Sequence, residues 1–588
     1  MLDLLTFLTL ALCAAGLGTA MLSALRLPRD APWEFGALSC AAGLGLFAVL
    51  LGILGLAGVL GWVRWLMPMG AVLSTAWFVH LWRVGERPRW QRPTAAVLVA
   101  ALVLAVVCLG AFPPVTDSDS LAYTIPTAEL LAHEGIWRFW PHIARSVYPL
   151  SQQFLDAALL ISGSQRLGLI SAAEFVLTAV LVGILARRVV ARPGAGWVAG
   201  IIALGCPAAA FLAGAAKEDL LLTTMTAAGA VALTLRPGVS SVALAGLFAG
   251  LAAGAKYTGL PIAIAIVACV PFGCGRDRRA WNLATAALLA LAAGGLWYGV
   301  NAVRFGNPLV PAFPSIGTFP VTPEVARAWL GGYGYGRSAT DFVLAPFRMA
   351  LEVATFDAGL FGGRSNWINP LAWLGVPWAL WAWRRRPHFV PLVAVAFALY
   401  PTWFSGSQVA RLLLPAMVLL AVPAADAVLT AWDRVRLLRV PLGLILGVSA
   451  SLVIVVATVR FTRYVANPQA FIAMGTEHFD AVQWMNTHLD PARDRVGTHL
   501  RAPAGLKIRW MILAPDYQVE IPSVDLDDPV RFRAALRRQG FTHVYGRPQD
   551  FAEYSEWLVP IYVNEASVEG TRFFRAPPTA PVAVFALQ

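Results

Sequence analysis

Charge is what this sequence has least of. Only 13% of its 588 residues are charged and 58% are hydrophobic, with a mean hydropathy of +0.65, whereas soluble domains carry about a quarter charged residues. A soluble core is excluded for most of the chain. Lysine is rarer still: Lys217, Lys256 and Lys507 stand against forty-two arginines. The six cysteines, Cys13, Cys40, Cys108, Cys206, Cys269 and Cys274, all lie in or beside apolar stretches, and none follows residue 460. That distribution implies no disulfide framework. The sequence also lacks a long-period repeat and a low-complexity tract. Its first stretch, "MLDLLTFLTLALCAAGLGTAMLSALRL", has no basic leader and carries Asp3, so it reads as a first span with its N-terminus outside rather than as a cleaved signal.

What is present is a series of apolar windows, each about 17 to 25 residues long and able to cross a hydrocarbon core about 30 Å thick with its backbone paired internally. About fourteen spans are predicted, near residues 2–25, 36–59, 64–82, 94–113, 167–186, 195–212, 219–235, 240–254, 257–273, 281–300, 368–383, 388–404, 411–430 and 440–459. The fold class is therefore a polytopic α-helical membrane protein. Several windows are short, so one or two re-entrant or fused segments are allowed for. The small-residue stretch "GLFAGLAAGA" suits close packing on a neighbouring helix.

The formal charge of +12 would suit nucleic acid, but the basic residues are dispersed into short loops, so no nucleic acid is expected. Arg26 and Arg29; Arg83, Arg87, Arg89 and Arg92; Arg187, Arg188 and Arg192; Arg276, Arg278 and Arg279; Arg384 to Arg386; and Arg434, Arg436 and Arg439 all fall on one side if the spans alternate. By the positive-inside rule that side is cytoplasmic. The outer side then receives the loop 114–166, the "AGAAKEDL" turn, the loop 301–367 and everything after about residue 461. Residues 148–163, "YPLSQQFLDAALLISG", are expected as an amphipathic helix on the outer membrane surface. Residues 465–588 have the composition of a small soluble α/β domain. "EHFDAVQWMNTHLD" and "DPVRFRAALRRQG" read as helices there, and "FTHVYG" and "TRFFRA" as strands.

The candidate chemistry gathers on the outer side. Asp117 and Asp119 stand where a span emerges, and a helix of ordinary pitch starting there carries Tyr123 one turn past Asp119. A carboxylate in that place suits a general base or a hard-cation ligand acting on a substrate whose tail lies in lipid. It equally suits helix capping, since "TDSDS" is rich in capping residues. Lys217, Glu218 and Asp219 fill a short outer turn, where a carboxylate would complete a cation site with Asp117 or Asp119, or merely end two helices. Lys256, in "AKYTG", and Arg411, in "SQVARLLLP", put cations at outer span ends, to meet a lipid phosphate or to snorkel to ordinary headgroups.

The order "DSLAYTIPTAELLAHEG", "VYPL", "RRVV", "AKEDLLL", "GLAAGAKYTG", "NAVRFGNPLVPAF", "RLLLPAMVLL", followed by an α/β tail, resembles the GT-C glycosyltransferase superfamily. More narrowly, it is similar to the bacterial phospholipid-carrier-dependent branch related to protein mannosyltransferases and lipid A aminoarabinose transferases. The resemblance implies a transmembrane catalytic region over residues 1–464 and an accessory extracytoplasmic domain over 465–588, in a bacterial inner membrane. It implies a polyprenyl-phosphate-linked sugar as donor, with an acceptor glycan, lipid or protein. Asp119 matches the family's loop aspartate as base or acceptor-positioning group, with Tyr123 as the following aromatic. Asp219, with Glu218 beside it, matches the second acid, a ligand for Mg2+ or Mn2+. Lys217, Lys256, Tyr257 and Arg411 fall to substrate binding. This chain has Ser120 where many relatives carry an acid, leaving Asp117 as the substitute, and three spans precede the usual core. A transporter or lipid flippase is the competing class, which would place ionisable groups near the bilayer midplane and show repeated halves. A scaffold presenting its tail to partners would need no acidic pair.

The orientation has a direct check. A cysteine introduced at Ser118 should react with a membrane-impermeant reagent in intact cells and one at Gln91 only after permeabilisation; the reverse pattern would overturn the orientation.

Overall fold

The computed structural model describes residues 2–29, 31–83, 95–273, 278–331, 334, 336–351, 368–475, 479–500, 506–526, 528–564 and 581–588. Arg87, Arg89, Arg92, Arg276, Cys274, the "TRFFRA" strand and part of the loop 301–367 lie outside the described residues. In chain order come α1 (Leu2–Ala24), α2 (Pro32–Leu56), α3 (Val63–Arg83), α4 (Ala95–Ala111), α5 (Ile125–Glu134), α6 (Ser151–Ile161), α7 (Gly168–Val190), α8 (Ala195–Leu204), α9 (Pro207–Leu212) and α10 (Asp219–Leu233). They are followed by α11 (Val239–Ala255), α12 (Gly259–Gly273), α13 (Arg279–Gly294), α14 (Leu296–Phe305), α15 (Pro323–Gly331), α16 (Ala339–Leu351), α17 (Gly375–Ala382), α18 (Phe389–Ser405), α19 (Leu414–Arg434) and α20 (Arg439–Ala466).

Helix occupies every predicted window. Five helices among the described residues are long and apolar enough to cross a membrane alone, or six if α13 and α14, bent by 66°, form one span. The other windows hold shorter helices, partly because Cys206–Pro207 divides α8 from α9 and Gly295 divides α13 from α14. The chain is a multi-pass membrane protein. Its apolar residues face outward as well as inward: on α20, Val440, Leu444, Val448 and Val455 are all exposed, a pattern suited to lipid and not to water.

Helix ends collect in two layers. In one, Leu60 N–H donates to Gly135 O and Trp137 N–H to Gly55 O, Ser164 Oγ donates to Asp3 Oδ1 at 3.0 Å, and Arg460 Nη2 donates to Pro114 O and Gly214 O. In the other, Arg188 pairs with Glu34, Ser240 Oγ donates to Leu25 O, and Arg192 pairs with Asp426 and Asp433. Exposed Trp33, Trp197, Trp281, Trp381, Trp383 and Trp432 sit within a few residues of the arginine loops of this second layer. Trp62 and Trp65 are exposed at the first. Paired levels of tryptophan are what two membrane interfaces select.

One expected element is placed differently. The segment 148–163 is helical as α6, but Ser151 to Leu159 are buried without a break, so it does not lie on a membrane surface with one face in water. Its polar residues are enclosed by protein: Gln152 Nε2 donates to Asp156 Oδ1 and Ser151 Oγ to Gly254 O. The stretch read as amphipathic because Gln152, Gln153 and Asp156 are polar, and sequence alone does not say whether polar side chains meet solvent or other protein groups.

The tail carries α21 (Pro468–Gly475), α22 (Phe479–His488), α23 (Ser523–Leu526) and α24 (Pro529–Arg538), with strands β1 (Arg495–Thr498), β2 (Arg509–Ile512), β3 (His543–Gly546), β4 (Leu558–Asn564) and β5 (Val582–Leu587). The sheet order is β2-β1-β3-β5-β4, parallel across β2, β1 and β3 and antiparallel beyond. Asp528 caps α24 by accepting from Val530 N and Arg531 N. The "FTHVYG" strand appears as β3, and both expected helices form.

The glycines of "GLFAGLAAGA" do bring two helices together. A Cβ on Gly250 would stand 2.2 Å from Ala290 O, and one on Gly246 would stand 2.5 Å from Ala286 O, so α11 and α13 meet backbone to backbone. Gly250→Ala should therefore lower stability by about 1–3 kcal/mol through overpacking, read as a fall in melting temperature. Gly200→Ala, where an added Cβ meets nothing within 4 Å, should leave it unchanged.

Candidate active site

Four connections bring the candidate residues together in the first layer. Pro126 has no N–H to donate to Ala122 O, so the chain after Asp119 does not enter an ordinary α-helix. It makes a π-helical turn over Ser120–Thr124, with Ile125 N–H bonded to Ser120 O, a widening common at functional sites. Tyr123 accordingly does not sit one ordinary turn past Asp119. The α9–α10 connection carries Lys217 and Glu218, and Asp219 opens α10. Lys256 ends α11 in extended backbone, and Arg411 lies in the 3-10 turn Ala410–Leu413 that leads into α19.

The result is an unbroken alternation of charge. Lys217 Nζ lies 2.9 Å from both Asp117 Oδ1 and Asp119 Oδ2. Arg411 Nη2 reaches Asp119 Oδ2 at 2.6 Å and its Nε stands 3.7 Å from Asp219 Oδ2. Lys256 Nζ closes the series at 2.8 Å from Asp219 Oδ1 and 2.9 Å from Glu218 Oε1. Asp117, Asp119, Lys217, Glu218 and Asp219 are all buried. Ionised groups are stable there only because each has a partner.

The two aspartates have different jobs. Asp117 Oδ1 accepts from Ser120 N at 3.0 Å, which is capping. Asp119 makes no side-chain cap and engages cations alone. Burial pulls the Asp119 carboxyl up, but the charges of Lys217, Arg411 and Arg145 outweigh it and hold it well below the usual carboxylate range.

Arg145 was not singled out from sequence. Its guanidinium lies between the rings of Tyr123 and Tyr517, 4.7 and 4.4 Å from their centroids, and 3.5 Å from Asp516 Oδ2. Tyr517 and Asp516 belong to the C-terminal domain, whose backbone also joins the loop: Ala144 N–H donates to Tyr517 O and Val519 N–H to Pro141 O. Tyr257 lies beside the charges with its Oη accepting from Asn301 Nδ2 at 2.9 Å, and Tyr148 packs edge-on against it. The bend between α13 and α14 brings Asn301 there.

A divalent ion on Asp219 and Glu218 would have to take the place of the Lys256 ammonium. Among the described residues no group of three or more His, Cys, Asp or Glu side chains gathers as metal ligands. The donor set at these two acids does not fit a resident Mg2+ or Mn2+, because a dication would compete with Lys256 and Arg411 for the same oxygens.

No protein-family model matches the chain, and no curated protein matches it. Among solved structures, ArnT from Cupriavidus metallidurans in the apo state aligns with a TM-score of 0.58 at 15% identity, over 84% of this chain and 97% of that one. The same protein bound to undecaprenyl phosphate gives 0.54 at 16% identity over the same shares. The chain has a GT-C-like fold. Identity this low carries the architecture and no residue role, so the site rests on its own geometry.

Removing one wall of the arginine sandwich tests the interdomain contact. Tyr517→Ala should cost about 1–2 kcal/mol of stability through loss of a desolvated cation–π contact, measured by thermal unfolding, while Tyr517→Phe, which keeps the ring, should lose clearly less.

Proposed function

We propose that this protein is an inverting glycosyltransferase that moves a sugar from a polyprenyl-phosphate donor to an acceptor at the outer face of a bacterial inner membrane. The observation that carries the reading is the buried alternation of Asp117, Lys217, Asp119, Arg411, Asp219, Lys256 and Glu218 at one end of the helical body. The GT-C-like fold and the undecaprenyl phosphate bound by ArnT support the donor class. A transporter would concentrate its ionisable groups near the midplane, and here the chain of ion pairs stands at helix ends.

The acceptor hydroxyl oxygen attacks the anomeric carbon, the bond from that carbon to the phosphate oxygen breaks, and polyprenyl phosphate leaves with the bonding electrons. Lys256 and Arg411 hold the phosphate and stabilise its growing charge, which removes the need for a nucleotide or a metal at that position. Asp119 orients the acceptor hydroxyl. Its basicity is low while Lys217 and Arg411 face it, and rises when the donor phosphate draws Arg411 toward itself, so the hydroxyl proton passes to Asp119 only in the loaded site. Arg145, Tyr123 and Tyr257 line the approach, and Lys217 keeps the two aspartates apart.

Asp119→Asn should lower turnover by roughly a hundredfold or more with donor binding retained or tightened, because two cations lose their carboxylate partner. Asp117→Asn should act mainly on stability, through the cap. In the free enzyme Asp119 stays ionised down through the usual carboxylate range, so kcat/KM should show no acid limb near pH 4 to 6, about where unperturbed carboxyls begin to titrate. Near-normal turnover in Asp119→Asn, with labelled polyprenyl-linked sugar as donor, would end the catalytic reading.

A further inference from the structure

The ion-pair layer depends on two connections keeping one spacing, and two residues outside the proposed chemistry tie them together. Lys217 Nζ can lie 2.9 Å from both Asp117 Oδ1 and Asp119 Oδ2 only while the α9–α10 connection stays in register with the stretch that leads into the π-helical turn. The first tie is direct. Ser120 is fully buried; its Oγ donates to Ala216 O and accepts from Ala216 N–H, both at 3.2 Å. Ala216 is the residue before Lys217. The Ser120 N–H donates to Asp117 Oδ1 at 3.0 Å, the same oxygen that Lys217 reaches, so a closed ring runs from Asp117 through Ser120, Ala216 and Lys217 back to Asp117.

The second tie comes from α20. Arg460 Nη2 donates to Pro114 O at 2.9 Å and to Gly214 O at 3.0 Å, and these carbonyls stand three residues before Asp117 and three before Lys217. One nitrogen therefore spans the same two connections just ahead of the charged residues. The backbone makes room for it: a Cβ on Gly214 would stand 3.0 Å from Arg460 Cζ, and one on Gly168 of α7 would stand 2.9 Å from Ala111 O and 3.3 Å from Gly214 O. The ring of Phe471 in α21 covers the guanidinium, 5.5 Å from Cζ. We propose that Ser120 and Arg460 are positioning residues: they hold the aspartate stretch and the α9–α10 connection at the spacing where one ammonium serves both aspartates, and through Lys217 they fix which cations Asp119 faces. A displacement of about 1 Å at Ala216 would take a 2.9 Å contact beyond hydrogen-bond range. Asp119 would then be left to Arg411. The ties exist whatever the site does; their effect on turnover rests on the glycosyl-transfer reading.

The scarcity of lysine makes the geometry measurable without any substrate. In the whole detergent-solubilised protein labelled with 15Nζ-lysine, only Lys217, Lys256 and Lys507 give ammonium signals, and Lys217→Met identifies the Lys217 signal. Ser120→Ala should speed exchange of the Lys217 ammonium hydrogens with water by roughly tenfold or more, since buried groups exchange through local opening. Lys256 should change clearly less, because its partner Asp219 belongs to α10. Arg460→Met should act in the same way and is the second variant should the first not fold. With labelled polyprenyl-linked sugar, both variants should lower kcat by roughly ten- to a hundredfold at nearly unchanged donor KM, the cost of misplacement by about 1 Å. In a Lys217→Met background Ser120→Ala should lower kcat no further, because it acts through that residue. Unchanged Lys217 exchange in both variants, equal acceleration at Lys217 and Lys256, or additive effects on kcat would overturn the proposal in favour of a general structural role. Accelerated exchange at Lys217 in a protein that turns over no donor in any form would uphold the ties and count against the reaction alone.

Discussion

The alternation of charge between Asp117 and Glu218 constrains everything around it. Placing seven ionised side chains in a mostly buried group is costly unless their partners stand at bonding distance, and removing one partner of a buried pair costs about 3–5 kcal/mol because the other is left uncompensated. The partners come from four separate connections, so loop 114–166, the α9–α10 turn, the α11–α12 turn and the entry to α19 must all be in register at once. The close α11–α13 packing at Gly246 and Gly250, the break before α14 and the π-helical turn at Ser120–Thr124 serve that register. Each sacrifices regular helix or side-chain volume near the site.

The same compensation governs what the site can do at rest. A carboxylate facing two bonded cations is a weak base, and a lysine or arginine facing two carboxylates is a weak phosphate ligand until one carboxylate is displaced. A phosphate arriving among these groups exchanges one anion for another and leaves the total charge nearly balanced. The ion pairs therefore keep the cations oriented and dehydrated before a ligand comes, which is preorganisation in the electrostatic sense. The lysines matter here for their compactness. Lys217 and Lys256 each bridge two carboxylates with a single ammonium, a geometry a planar guanidinium fits less well. That offers a physical reason for a chain that otherwise uses arginine to keep lysine at these two positions.

Much of this was legible in the sequence. Every apolar window falls on helix, because burial in lipid and burial in protein demand the same composition. Asp117, Asp119, Glu218, Asp219, Lys217, Lys256 and Arg411 stand out because a charge in such a chain is conspicuous, and the alternation of spans puts them on one side. The role of Arg145 was not legible: it is one arginine among forty-two, and its partner Tyr517 is several hundred residues away in a domain whose pattern gives no hint of the contact. Capping and ion pairing at Asp117 and Asp119 were likewise indistinguishable, since "TDSDS" suits both; only the direction of each carboxylate separates them. The placement of α6 was misjudged for a related reason. Polarity in Gln152 and Asp156 reports a need for partners without saying whether water or protein supplies them.

For the proposed reaction, the position of the ion pairs at a helix-end layer answers two opposing demands. A lipid-linked phosphate cannot leave the interface, because its tail is held by a hydrophobic free energy of about 0.8 kcal/mol for each buried CH2. Charge stabilisation is strongest where water is excluded, yet bringing a phosphate deeper than the interface would cost its solvation. The compromise is a shallow site roofed by protein. Here the C-terminal domain supplies the roof: Tyr517 stacks on Arg145 and Asp516 pairs with it, while Ile512 and Tyr517 pack with Ala122 in one cluster. In the proposed reaction, a tail fastened over the site would lower the local dielectric without moving the charges into lipid, which would give it a physical part in the transfer.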